Sequence, residues 1–94
     1  MKLVYHYDPR ILTMEESANE EDIEFTLGLL DDHEDMVPRL KAVRRHFEDN
    51  EVYTDALFYS FPDHRYSAIV RRDYYTDFVL QLMKHRIVTR VEWV

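Results

Sequence analysis

The stretch DIEFTLGL, residues 22–29, alternates apolar side chains with polar or small ones. A period of two is that of a half-buried β-strand, whose successive side chains point to opposite faces of the sheet. A helix could use Ile23, Leu27 and Leu30 as one face, but Thr26 and Gly28 disfavour a helical backbone. The stretch therefore predicts a strand with one face in the core.

Two helices are expected downstream of this strand. The first follows Asp35 as N-cap and covers about residues 36–48, with Pro38 tolerated in its first turn. Its apolar stripe is Met36, Leu40, Val43 and Phe47. The second helix is predicted to be capped by Asp73, and its apolar stripe is Tyr75, Phe78, Val79, Leu82 and Met83.

Further strands are expected on both sides of the helices. Residues 52–61 and 65–71 are predicted to form a hairpin around a turn at 62–64, and residues 87–93 a closing strand. From residue 22 the order is then βαββαβ, a split βαβ or ferredoxin-like arrangement. The predicted fold class is α+β, with two helices on one face of a mainly antiparallel sheet and an extra N-terminal strand over residues 3–7.

Residues 10–21 have few apolar side chains and many carboxylates. Thr13 and Glu16 match the spacing of a capping box, but the apolar stripe of a helix does not follow. We expect a mobile acidic loop. The segment Ile11–Pro38 as a whole holds ten carboxylates and no Lys or Arg, within a chain of net charge −7. The protein is therefore electrically two-sided, with a surface suited to a basic protein partner.

Composition limits the remaining possibilities. With 94 residues, 46% of them hydrophobic, we expect a single domain over residues 1–94. The absence of cysteine excludes disulfides and zinc-thiolate sites and favours a cytoplasmic location. No segment has the apolar length of a membrane span, so we expect no membrane partner. The single glycine excludes phosphate-binding glycine loops, and we expect no cofactor.

Candidates for acid–base catalysis or metal binding are few. His6, Tyr7 and Asp8 are the candidates for acid–base work. Asp31, His33 and Asp35 are the candidates for a divalent cation, although their spacing is not that of an EF-hand.

Nucleic-acid binding is disfavoured. Where the third strand of an RNA-recognition module has stacking aromatics, this chain has Ser67 and Ile69, and its net charge repels phosphates.

The aromatic side chains exceed what one helix-covered face of a small sheet can hide, so some are expected at an interaction surface. The leading hypothesis is a non-enzymatic interaction or regulatory module, homodimeric through the uncovered sheet face or an edge strand. One alternative is a cofactor-free enzyme or ligand-binding protein with a pocket at the sheet face. Another is an acidic mimic of nucleic acid that inhibits a basic partner. The candidate interaction residues are Glu20, Glu21, Asp31, Asp32, Tyr59, Tyr66 and Trp93.

Overall fold

A computed structural model describes residues 1–30, 35–49 and 56–94 of the protein. Within these residues the fold is α+β, with six strands and two α-helices. The elements are β1 (Leu3–His6), β2 (Leu12–Ala18), β3 (Asp22–Leu29), α1 (Met36–Glu48), β4 (Ala56–Phe61), β5 (Arg65–Arg71), α2 (Tyr75–Lys84) and β6 (Arg90–Trp93). The predicted bounds of β3, α1 and β5 are therefore confirmed, and the part of the predicted β4 before Ala56 lies outside the described residues.

The strands form a four-stranded sheet in the order β2-β3-β5-β4 and a two-stranded sheet of β1 and β6, all antiparallel. The pairings β3–β5 and β4–β5 are those of a split βαβ unit. The fourth position differs from the prediction, because β2 lies beside β3 where a ferredoxin-like arrangement would place β6. A three-residue connection joins β2 to β3, and so short a loop costs less entropy to close than the long return from β6.

The prediction of a loop over residues 10–21 was wrong, since residues 12–18 are strand β2. The strand was missed because only Leu12 and Met14 of its inward residues are buried and apolar. The next inward position is Glu16, opposite Phe25 of β3, which breaks the apolar alternation. Tyrosine hydroxyls from β1 and α2 bind the Glu16 carboxylate, so the sheet tolerates a charge there.

Both helices cover the same face of the four-stranded sheet. Phe78 of α2 lies 4.6 Å, ring centre to ring centre, from Phe25 of β3 and 6.2 Å from Phe58 of β4. Phe47 of α1 joins this cluster at 5.9 Å from Phe78. Such aromatic clusters dominate the burial energy of small cores. The opposite face of the sheet, here called the outer face, has no helix of the described residues packed on it.

Helix α2 begins differently from the sequence prediction. A 3₁₀ turn over Arg72–Tyr74 precedes it, and no side chain caps its first turn, so Asp73 is not the N-cap. At the other end Arg86 has a φ of 59°, in the left-handed region. The amide of Ile87 donates to the Leu82 carbonyl at 2.8 Å and that of Arg86 to Met83 at 3.1 Å. This is the Schellman pattern of helix termination.

Neither described helix has the length and apolar character needed to cross a membrane.

Candidate interaction surface

The outer side of β4 exposes a row of large apolar side chains. Leu57, Tyr59 and Phe61 alternate along the strand and are 48%, 46% and 53% exposed. They point away from the helices because their neighbours Ala56 and Phe58 pair with the inward residues of β5. The row is continued on β5 by the half-buried Ile69, which lies opposite Leu57. The outer face therefore has a continuous apolar strip, here called the β4 strip.

The two edges of the four-stranded sheet differ in chemistry. β2 bears Glu15 and Glu16, and its Met14 carbonyl accepts a hydrogen bond from the Tyr7 hydroxyl at 3.4 Å. β4, with the sequence ALFYSF, has no charged residue, and no strand of the described chain pairs with its free edge. Edge strands of soluble proteins are usually protected by charge, proline or a cover, because free backbone groups recruit another strand. Within residues 1–30, 35–49 and 56–94, the edge at β4 is thus open for pairing.

The other half of the outer face is acidic. Glu24 of β3 accepts a 2.9 Å hydrogen bond from the hydroxyl of Ser67, which is 4% exposed. Glu15 lies on the same face of β2, opposite Thr26. Among the described carboxylates of the Ile11–Pro38 segment, only Asp35 is in an ion pair with a described residue, Arg39, at 3.6 Å. The outer face is therefore apolar at β4 and negatively charged at β2 and β3.

The turn between β2 and β3 is held by a basic side chain from the start of the 3₁₀ turn. The Arg72 guanidinium donates to the carbonyls of Asn19 and Glu20, and the Arg72 amide donates to the Glu21 carbonyl at 3.1 Å. The Arg72 guanidinium thus binds backbone carbonyls of the turn and not the carboxylates of Glu20 and Glu21. Both glutamates stay exposed. These two predicted interaction residues are accessible at the tip of the acidic hairpin.

A cavity of about 460 Å³ lies between α1 and the β4–β5 hairpin. Its floor is apolar and includes Phe78 and Leu82, which are buried. Its lining also includes three half-buried side chains, Leu40, Phe58 and Tyr66. Tyr66, a predicted interaction residue, is therefore on the helix-covered face, opposite to that of Tyr59.

The residues proposed for acid–base chemistry do not converge. His6 Nε2 lies 3.2 Å from Glu92 Oε1 on β6, and this hydrogen bond, together with Arg90, lowers the pKa of Glu92. The Tyr7 hydroxyl donates to a backbone carbonyl. Asp8 binds the amide and guanidinium of Arg10 at 2.9 to 3.1 Å, which raises the pKa of Arg10. The hydrogen bonds of His6, Tyr7 and Asp8 described here therefore go to three different residues.

The remaining predicted residues lie apart. Asp31, Asp32 and His33 are outside the described residues, and Asp35 is exposed at the start of α1. In the described ranges no group of three potential metal ligands comes together. Trp93 is 56% exposed on β6, in the other sheet.

A carboxylate between two tyrosines was not predicted. Glu16 Oε2 accepts hydrogen bonds from the hydroxyls of Tyr5 and Tyr75, the latter at 3.0 Å. The pKa of both tyrosines is raised. Burial is the larger cause and the contact with Glu16 is the second. A phenol with a raised pKa stays protonated and donates, so the cluster joins β1, β2 and α2.

Sequence reasoning selected Tyr59 but missed its neighbours Leu57 and Phe61, and it missed the cavity. The signal for the first two was present, because an uncharged strand with apolar residues at every outward position is unusual for an edge. The cavity had no sequence signal, since Leu40 and Phe58 have the spacing of ordinary core residues.

Comparison with protein-family models, curated proteins and solved structures gave no match.

Proposed function

We propose that this chain is a cytoplasmic protein-interaction module that works as a homodimer, with two copies joined along β4. The observation that supports the proposal best is the β4 strip, a row of exposed apolar side chains on an uncharged edge strand. Exposed apolar area of this kind usually marks an interaction site. The cytoplasmic location is supported by the absence of cysteine.

A second copy is the occupant that the edge fits best. An antiparallel strand can pair with itself about a two-fold axis perpendicular to the sheet, which closes both free edges at once. Opposite residues then share a face, so the middle residue of the row, Tyr59, lies beside its own copy and Leu57 lies opposite Phe61 of the other chain. The same contact packs the apolar row of one copy beside that of the other, so each row loses part of its exposed area.

Pairing along β4 leaves the acidic half of the outer face accessible. The tip of the β2–β3 hairpin, with Glu20 and Glu21, lies at the far edge of the sheet from β4. A dimer would thus expose two acidic surfaces at opposite ends of one eight-stranded sheet. Such an arrangement suits a basic protein with two sites, or two copies of a basic protein.

The test is the molecular mass of the protein in solution, measured by light scattering at micromolar concentration. We expect a dimer for the parent chain and a monomer for Tyr59→Lys, because the new charges would face each other across the axis. Ser17→Lys, on the same face of the other edge strand, is the matched control and should remain dimeric. The parent dimer should tighten with added salt, since each chain has net charge −7 and the copies repel. A monomeric parent at all salt concentrations would refute the proposal.

A further inference from the structure

The cavity between α1 and the β4–β5 hairpin is an opening in what would otherwise be the core. Leu40 is in the middle of the buried stripe of α1, yet it is only half-buried, whereas Met36, Val43 and Phe47 of the same stripe are buried. Phe58 and Tyr66, on the facing strands, are half-buried as well. All three half-buried side chains line the cavity. The helix therefore does not close over the sheet at this point.

The volume and lining of the cavity match those of a small-molecule site. Ligand pockets measure roughly 300 to 1,000 Å³ and are lined by apolar and aromatic side chains with a few polar groups. This cavity, at about 460 Å³, is within that range. Its apolar floor excludes a fully polar ligand, because polar groups lose water there without gaining a partner.

The charged residues of the lining indicate the sign of the ligand. α1 contributes Lys41 and Arg44, which are three residues apart and so share a helix face, while the hairpin turn contributes Asp63 and His64. Arg44 is paired with Glu48 at 2.6 Å. Lys41 is exposed and has no ion-pair partner among the described residues. A cation that has no ion-pair partner in the described ranges and lies beside an apolar floor is suited to an anionic head group.

We propose that this cavity binds a small amphipathic carboxylate, a molecule with one anionic head group and an apolar chain or ring system. The apolar part lies on Phe58, Phe78 and Leu82, and the carboxylate meets the Lys41 ammonium. The cavity also reaches Tyr59 and Phe61 of the β4 strip. Its binding is therefore tested apart from dimerisation by a change in β4 outside the lining, at Leu57.

Decanoate is a suitable probe, with decanol as the neutral and decyltrimethylammonium as the cationic analogue. We expect decanoate to bind one per chain by calorimetry and to shift the amide resonances of Leu40, Phe58 and Tyr66 most. Decanol should bind more weakly and the cation not at all. Lys41→Gln should weaken decanoate binding by up to about five-fold, the size of an exposed charge pair. Lys84→Gln, the matched loss of charge on α2, should leave it unchanged.

Three outcomes would overturn the proposal. The first is no saturable binding of decanoate to the parent chain. The second is equal binding of decanoate and decanol, or an equal loss in the Lys41 and Lys84 variants, which would show an apolar site without a preference for anions. The third is that the amide resonances of Val37 and Leu40, the cavity residues on α1 and not on the pairing strand β4, shift with protein concentration in the absence of ligand, which would make a second copy the occupant. Repeating the titration on a Leu57→Lys variant, a change in the exposed row of β4 outside the cavity lining, separates this proposal from the proposed dimer.

Discussion

Replacing Arg86 by glycine should stabilise the protein. Arg86 is the residue that ends α2 in the left-handed region, with a φ of 59°. A non-glycine residue in this conformation costs about 1 to 2 kcal/mol. Glycine removes that cost but gives the unfolded chain additional freedom, which costs about 0.4 to 1 kcal/mol. The difference of the two mid-range values predicts that the free energy of unfolding of Arg86→Gly rises by about 0.8 kcal/mol.

Little is lost with the side chain. Arg86 is exposed, and its carbonyl, which accepts a 3.4 Å hydrogen bond from Arg39, remains in the variant. The Schellman hydrogen bonds to the Leu82 and Met83 carbonyls remain too. For a chain of this length the gain corresponds to a rise in Tm of roughly 3 to 6 °C.

The assay is urea and thermal unfolding at one protein concentration, because dimerisation would add a concentration-dependent term. Arg86→Ala is the control, since alanine also removes the guanidinium but keeps the strained φ. We expect the alanine variant to change stability by less than about 0.5 kcal/mol. A glycine variant no more stable than the alanine variant would show that the left-handed residue stores no strain, and the reasoning would fail.

Two further changes test the tyrosine cluster and the core. The pKa values of Tyr5 and Tyr75 are raised above their ordinary value of 10, so the native state holds protons that the unfolded chain releases. The two tyrosines make their full contribution to the free energy of unfolding below pH 10, and this contribution is lost as the pH rises above 10. Unfolding measured between pH 9 and 11 (about one unit on each side of that value) should show the parent losing stability more steeply than Tyr5→Phe/Tyr75→Phe, and equal slopes would contradict this account. Phe78→Ala should cost about 3 to 5 kcal/mol in urea unfolding, because Phe78 is 1% exposed and contacts the rings of Phe25, Phe47 and Phe58. A cost below about 1 kcal/mol, the level of many exposed sites, would mean that this ring cluster is not the centre of the core.

The parts of the fold that the sequence predicted are those in which local pattern and tertiary packing agree. In β3 every second residue from Ile23 points into the core, and in α1 the stripe from Met36 to Phe47 meets the sheet. β2 was missed because its pattern ends at Glu16, and the two hydroxyls that bind this carboxylate come from residues 11 and 59 positions away. The cap of α2 was misplaced because a 3₁₀ turn uses Asp73 before the α-helix begins.

The functional surface was predictable only in part. The excess of aromatic residues indicated that some were exposed, and Tyr59 and Trp93 are. β4 is an edge strand in the ferredoxin-like order too. The strand at the opposite edge, however, depends on the position taken by β2, which follows from a competition between hairpin and long-range pairing that no single segment encodes. Tyr59 and Tyr66 could not be assigned to opposite faces either, because that assignment requires the register of β4 against β5.

The measurement that tests the central claim most directly is disulfide cross-linking of a Tyr59→Cys variant. The chain has no cysteine, so any disulfide formed is between two chains. Pairing about a two-fold axis at Tyr59 places the two Cα atoms about 4.5 to 5.5 Å apart, within the range that a disulfide spans. Ser17→Cys, on the same face of the opposite edge strand, is the control for random collision. We predict rapid and complete cross-linking of Tyr59→Cys at micromolar concentration and slow cross-linking of Ser17→Cys. Equal rates for the two variants would contradict pairing through β4.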